Sequence, residues 1–153
     1  MIRRRGAGEL LLREMGIGYQ LRRAFMALHR RLRAAIAPLG TTPDQYVVLW
    51  VLNAYGDLTQ REVHELLYSD GNTVGEILRR LEARGWLRRR RDRKDARARR
   101  VSITPSGQAL RRRVFGIARR FHRKALAPLS PVERDTFVAM LSRVFESLER
   151  SPR

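Results

Sequence analysis

Cysteine is absent from this sequence, histidine occurs three times, and aromatic residues make up only 7% of it. Without cysteine there is no disulfide framework, no zinc–thiolate site and no thiol redox switch. His29, His64 and His122 are scattered, and none has a second His, Asp or Glu at ligand spacing on one helix face. No metal and no cofactor are therefore expected. Long apolar runs are missing too: the longest, residues 46–52, spans seven residues against the roughly 20 a membrane helix needs. Arg3, Arg4 and Arg5 resemble the start of a signal peptide, but Glu9, Arg13 and Glu14 interrupt the apolar stretch that should follow. No membrane association and a cytoplasmic location are expected.

The parts of an enzyme are lacking as well. There is no glycine-rich phosphate loop, no Ser-His-Asp order and no thiol nucleophile, and Glu62, Glu65 and Glu82 stand beside arginines on expected helix faces. Acidic residues are scarce, 15 against 33 basic ones, for a net charge of +18. Such an excess repels itself unless a polyanion neutralises it. Nucleic acid is the first candidate, an anionic membrane or an acidic protein the second, and a merely solvated basic face the bland alternative. The charge is concentrated: residues 79–100 hold twelve Arg or Lys and three Asp or Glu, a net +9.

With 43% hydrophobic and 31% charged residues over 153 positions, the chain reads as one globular domain. A first helix is expected over about residues 9–37, with Leu21, Phe25, Leu28, Leu32 and Ile36 as its apolar stripe and Pro38 and Gly40 ending it. Thr42-Pro43-Asp44-Gln45, Thr59-Gln60-Arg61-Glu62 and Ser130-Pro131-Val132-Glu133 are three capping boxes, each opening a further helix. Gly56 and Gly85 are placed to stop the helices before them. The helix after Thr59 carries Val63, Leu66 and Leu67 inward, and one from about residue 72 to 84 carries Val74, Ile77, Leu78 and Leu81. Residues 86–90 and 99–103 suit a two-stranded hairpin with a long charged tip. After Thr104-Pro105 a helix is striped by Leu110, Val114, Ile117, Phe121 and Ala125, and the last helix by Phe137, Leu141, Val144 and Leu148. Stripes on the first and last helices lack a partner within so small a module, so a two-fold homodimer is expected, with completion of a monomeric core as the alternative.

Helix, turn, helix and basic hairpin in that order describe a winged helix-turn-helix, whose second helix enters the major groove. Its outward residues are expected to be Asn72, Thr73, Gly75, Glu76, Arg79 and Arg80. Asn pairs with adenine, Thr meets a thymine methyl, Glu accepts from cytosine, and the two arginines suit phosphates. The wing would add Arg89, Arg91, Arg93, Lys94 and Arg97, a basic finger of the kind that enters a minor groove.

From Thr41 to Gly107 the sequence resembles the multiple-antibiotic-resistance regulator (MarR) family. The resemblance rests on Thr42-Pro43-x-Gln45-Tyr46, Leu58-Thr59-Gln60-Arg61-Glu62-Val63 and Asn72-Thr73-Val74. It continues through Arg80-Leu81-Glu82-Ala83-Arg84-Gly85-Trp86-Leu87-Arg88-Arg89, Asp95-x-Arg97 and Ile103-Thr104-Pro105-Ser106-Gly107. It implies a mainly α fold with a small β-hairpin wing: a winged helix-turn-helix lobe (about 41–104) flanked by N- and C-terminal dimerisation helices (about 9–40 and 105–150). It further implies a homodimer on a pseudo-palindromic operator in double-stranded DNA, with Asp95 buttressing the wing and Arg97 approaching the minor groove. Such a regulator would repress its own or a neighbouring operon until a small phenolic or amphipathic effector binds. His29, Tyr46 and Trp50 are the candidate effector-pocket residues. Two departures from the family pattern, Gly75 and Glu76, keep a second reading open, a low-specificity architectural DNA binder.

Overall fold

A computed structural model describes residues 16–67, 71–92 and 99–150. They group into two compact units that divide between Ile117 and Ala118. The first contains α1 (Gly16–Ile36), a 3-10 turn (Ala37–Leu39), α2 (Pro43–Tyr55), β1 (Leu58–Thr59), α3 (Gln60–Leu67), α4 (Gly71–Ala83), β2 (Leu87–Arg91), β3 (Arg99–Ile103) and the start of α5 (Pro105–Ala125). The second contains the rest of α5 and α6 (Pro131–Arg150).

All three capping boxes form. Thr42 Oγ1 accepts from Gln45 N while Gln45 Oε1 accepts from Thr42 N, at 3.3 and 3.2 Å. Glu62 Oε2 accepts from Thr59 N at 2.6 Å and Thr59 Oγ1 from Glu62 N at 3.2 Å. Ser130 and Glu133 repeat the exchange at 2.7 and 3.3 Å. Each box satisfies amide donors that a helix start leaves bare, which is why the chain restarts its helices at these points. At the other end of α4, Gly85 adopts φ +68°, with Gly85 N donating to Glu82 O and Trp86 N to Leu81 O. This pair of bonds closes the last turn and turns the chain into the wing; a left-handed φ there favours glycine.

Between α2, α3 and α4 the core is aliphatic. Val48, Leu49, Leu52, Val63, Val74, Leu78 and Leu81 are buried, with Ile36 from α1, Val101 from β3 and Val114 from α5. The expected stripe of α1 reaches this core only at its carboxyl end. Leu32 and Ile36 are buried, but Phe25 and Leu28 are 60% and 39% exposed. Leu66 of α3, expected inward, is also exposed. The whole expected stripe of α6, Phe137, Leu141, Val144 and Leu148, is exposed in the single chain. None of the described helices is long and apolar enough to cross a membrane.

The sheet departs from the expected hairpin by one strand. Its order is β1-β3-β2, antiparallel throughout, with Leu87 opposite Ile103, Arg91 opposite Arg99 and Leu58 opposite Val101. β1 is two residues long, too short for an alternation of apolar and polar residues to announce it. It covers the free edge of β3 and ties the wing to the residues that open α3.

Candidate nucleic-acid interface

Helix α4 is fastened by one side. Val74, Leu78 and Leu81 are buried and Ile77 half-buried, which leaves Asn72, Thr73, Glu76, Arg79 and Arg80 exposed on the other. The exposed residues supply amide, hydroxyl, carboxylate and guanidinium groups along about two turns of one helix face, a set able to engage base edges and phosphates.

Gly75, expected to face outward with them, does not. It is half-buried, and a Cβ built on it would stand 3.3 Å from Gln60 Nε2 at the start of α3. A methyl there would press on the end of the Gln60 side chain, which need give by only a few tenths of an ångström. Glu76 hydrogen-bonds Arg80 one turn along. Its carboxylate is thereby neutralised within the protein, and Arg80 is partly committed before any phosphate arrives.

The wing strands are basic on their outer faces. Arg88, Arg90, Arg91 and Arg99 are exposed, and Arg88 Nε donates across the ladder to Ser102 Oγ at 3.1 Å. Arg89, expected at DNA, is held differently. Its side chain is 16% exposed, and its Nε lies 2.9 Å from Glu82 Oε2. Nε and Nη2 are buried and form no hydrogen bond among the described residues, so the pair is Coulombic in character. It joins the end of α4 to the first wing strand. Arg91 stands at the outer end of β2; Arg93, Lys94, Asp95 and Arg97 lie outside the described residues.

Arg100 is the hub of the wing's base, and sequence reading did not single it out. Its Nη1 donates to Asp92 Oδ2 at 3.0 Å, and its Nη2 donates to the Asp57 carbonyl. Asp92 is 9% exposed. The hydrogen bond to Asp92, together with the carboxylates of Glu62, Asp92 and Asp57, raises the pKa of Arg100 and keeps it charged. In turn the Thr59 amide and hydroxyl hold the Glu62 carboxyl below its ordinary range, with the Arg100 charge a smaller cause.

A second knot joins wing and helix. Thr104 N donates to Trp86 O at 3.1 Å, and Thr104 Oγ1 and Ser106 Oγ donate to Gly85 O at 2.7 and 2.8 Å. Gly107 N donates to Thr104 Oγ1 at 3.1 Å. The helix start presses so closely on Trp86 that a Cβ at position 107 would stand 2.0 Å from its carbonyl oxygen. The Thr-Pro-Ser-Gly string thus needs its glycine for space.

The candidate effector residues lie on α1 and α2. His29 Nε2 is 3.2 Å from both carboxylate oxygens of Asp44, and its ring is 5.5 Å from that of Phe25. Tyr46 is half-buried; burial raises its phenol pKa, and the charge of Arg111 on α5 opposes the rise. Arg111 was missed because α5 carries seven Arg or Lys, among which one half-buried cation has no distinguishing pattern. Trp50 is 47% exposed. Among the described residues, no group of three His, Asp or Glu could hold a metal ion.

Comparison with known proteins places this geometry. Residues 39–98 match the model of the MarR family. The HTH-type transcriptional regulator TtmR of Methylorubrum extorquens is 38% identical over 85 residues, which are 56% of this chain and 44% of that protein; the chain thus spans less than half of this relative. Among solved structures, a probable transcriptional regulator from Pseudomonas aeruginosa is 34% identical, with a TM-score of 0.78 over 84% of this chain and 96% of the other. Bordetella bronchiseptica BpsR, whose DNA binding is regulated by 6-hydroxynicotinic acid, is 30% identical, with a TM-score of 0.77 over 83% and 96% of the two chains.

Proposed function

From the premise that this chain belongs to the MarR family of DNA-binding transcription regulators, we propose that it is a homodimeric, sequence-specific repressor that an effector releases. The observation that carries the reading is the exposed face of α4, bearing Asn72, Thr73, Arg79 and Arg80, next to a wing with four exposed strand arginines. In this reading α4 enters the major groove, the wing reaches the flanking minor groove, and Arg93, Lys94 and Arg97 extend its basic edge with Asp95 as buttress. Because Gly75 offers no side chain and Glu76 pairs with Arg80, base discrimination falls to Asn72 and Thr73, with Arg79 and Arg80 on phosphates.

Dimerisation is supported by apolar side chains that the single chain leaves in solvent: Phe25, Met26 and Leu28 on α1, and Phe137, Leu141 and Val144 on α6. Apolar faces of this kind, one on each helix, need a cover, and a second copy supplies one by symmetry. The dimer would use the apolar faces of the helices of about 9–40 and 105–150 as its interface, leave their basic faces in solvent, and present two copies of the 41–104 lobe to a pseudo-palindromic operator. Occupying that operator at its own or a neighbouring promoter would block transcription.

The effector is proposed to be a small phenolic or amphipathic molecule bound near His29, Tyr46 and Trp50, with Arg111 available to an acidic group. Support comes from BpsR, a similar protein whose DNA binding responds to 6-hydroxynicotinic acid, and from the polar-tipped, half-buried character of His29 and Tyr46.

The test is selection from random duplex DNA at about 150 mM salt, where purely electrostatic binding is weakened. Enrichment of a pseudo-palindrome with half-sites about 10–10.5 base pairs apart is expected. Recovery of no consensus, with binding that only tracks salt, would replace this reading with that of a low-specificity architectural protein.

A further inference from the structure

Half of the chain's net charge lies outside the wing region. Helix α5 is its largest single reservoir, with seven Arg or Lys and no Asp or Glu over Pro105–Ala125. Within it Arg119, Arg120, Arg123 and Lys124 form a compact quartet. All four are exposed, while Ala118 and Phe121, on the opposite side of the helix, are buried and half-buried. Spacings of one, three and four residues set the four charges in two adjacent rows. None of the four makes an ion pair among the described residues, unlike Arg61, Arg80, Arg89 and Arg100.

Helix chemistry accounts for only part of this. The macrodipole favours cations in the final turn, which covers Arg123 and Lys124. Arg119 and Arg120 lie a turn earlier, and each stands four residues from a like charge, an arrangement that weakens an isolated helix. The quartet is therefore repulsive within the protein and suited to a multivalent anion. Arginine at three of its four positions favours phosphate, which the guanidinium fork engages in pairs of hydrogen bonds. The quartet begins fourteen residues beyond Pro105 along α5.

We propose that the quartet of α5 is a second, sequence-independent DNA surface that captures a separate duplex while the dimer occupies its operator. The proposal rests on the regulator reading above and adds bridging of two DNA segments to it. Four phosphates per protomer correspond to a salt slope near −3.6, so capture should weaken about 150-fold between 50 and 200 mM salt.

The test immobilises an operator duplex found by selection, loads it with the full-length protein, and then offers a fluorescent duplex lacking the operator at about 50 mM salt. The wild-type complex is expected to retain the second duplex. A variant carrying Arg119→Gln, Arg120→Gln, Arg123→Gln and Lys124→Gln keeps good helix formers at all four positions. It should load on the operator as wild type does, with unchanged helical circular dichroism, and lose capture. The charge-preserving Arg119→Lys, Arg120→Lys, Arg123→Lys variant should restore most of it. Failure to load on the operator would count against the regulator reading instead. Normal loading without capture by wild type, or equal capture by the glutamine variant, would overturn the second surface. Binding of phosphatidylglycerol vesicles in place of duplex would overturn it in favour of a membrane.

Discussion

Replacing Gly107 with alanine isolates the knot between wing and helix. The added methyl would stand 2.0 Å from Trp86 O, 2.9 Å from Ile103 Cγ1 and 3.0 Å from Trp86 C. An ordinary carbon–oxygen contact is more than an ångström longer, and the obstacle is backbone, which no rotamer change clears. The start of α5 must therefore retreat by about 1 Å, straining the bonds from Thr104 N to Trp86 O and from Thr104 and Ser106 to Gly85 O. Overpacking of this type costs about 1–3 kcal/mol, and three weakened hydrogen bonds add about 1 kcal/mol each at most. A loss of about 3–5 kcal/mol is expected, a large fraction of the roughly 5–15 kcal/mol that holds a typical domain. At about 2–4 °C per kcal/mol for a chain of this size, the Tm should fall by about 10 °C, as read by circular dichroism. Operator affinity should fall with it, because β2 begins one residue from the displaced carbonyl. A Tm within about 2 °C of wild type would refute the claim that this glycine is required for space.

Two further outcomes follow from the charge arrangement. Glu76→Gln removes the carboxylate that engages Arg80 and leaves that guanidinium to phosphate; operator affinity at low salt should rise, and the salt slope should steepen by about one unit per protomer. An unchanged slope in an anisotropy titration would show that Arg80 does not reach the backbone. The Glu62 carboxyl is held below its ordinary value of 4.5, chiefly by the Thr59 amide and hydroxyl. Its contribution to stability is therefore complete above that value and is lost as pH falls through the depressed folded one. Glu62→Gln, which retains an acceptor for the cap, should flatten the acid limb of the stability curve, and denaturant melts across that range with no difference from wild type would contradict this.

The helix boundaries were readable because they are written in local chemistry. Thr42, Thr59 and Ser130, each followed three residues later by Gln or Glu, needed no tertiary knowledge to mark their helix starts, and Gly85 needed none to mark a stop. What escaped reading depends on packing between segments distant in sequence. β1 exists only because β3 offers it an edge. Arg89 pairs with Glu82 because strand and helix meet, although its sequence neighbours gave it the look of one more wing cation. Gly75 reads as an outward position by helical period alone; its half-burial beside the Gln60 side chain shows only in the fold. Arg100 was hidden among the many arginines around it, and its role follows from Asp57 and Asp92 arriving from two other segments.

The knot around Gly85 and Trp86 also bears on how such a protein can change over evolutionary time. It fastens the carboxyl end of α4, whereas Asn72 and Thr73, proposed above to meet the bases, open that helix more than two turns away. The side chains that would set the operator are therefore separated along the helix from the knot that holds helix, wing and α5 together. Substitutions at 72 and 73 fall away from that knot while new operators are explored, whereas those at 85 and 107 are confined whatever the operator is. Heritable novelty and structural constraint are thus assigned to opposite ends of one thirteen-residue helix.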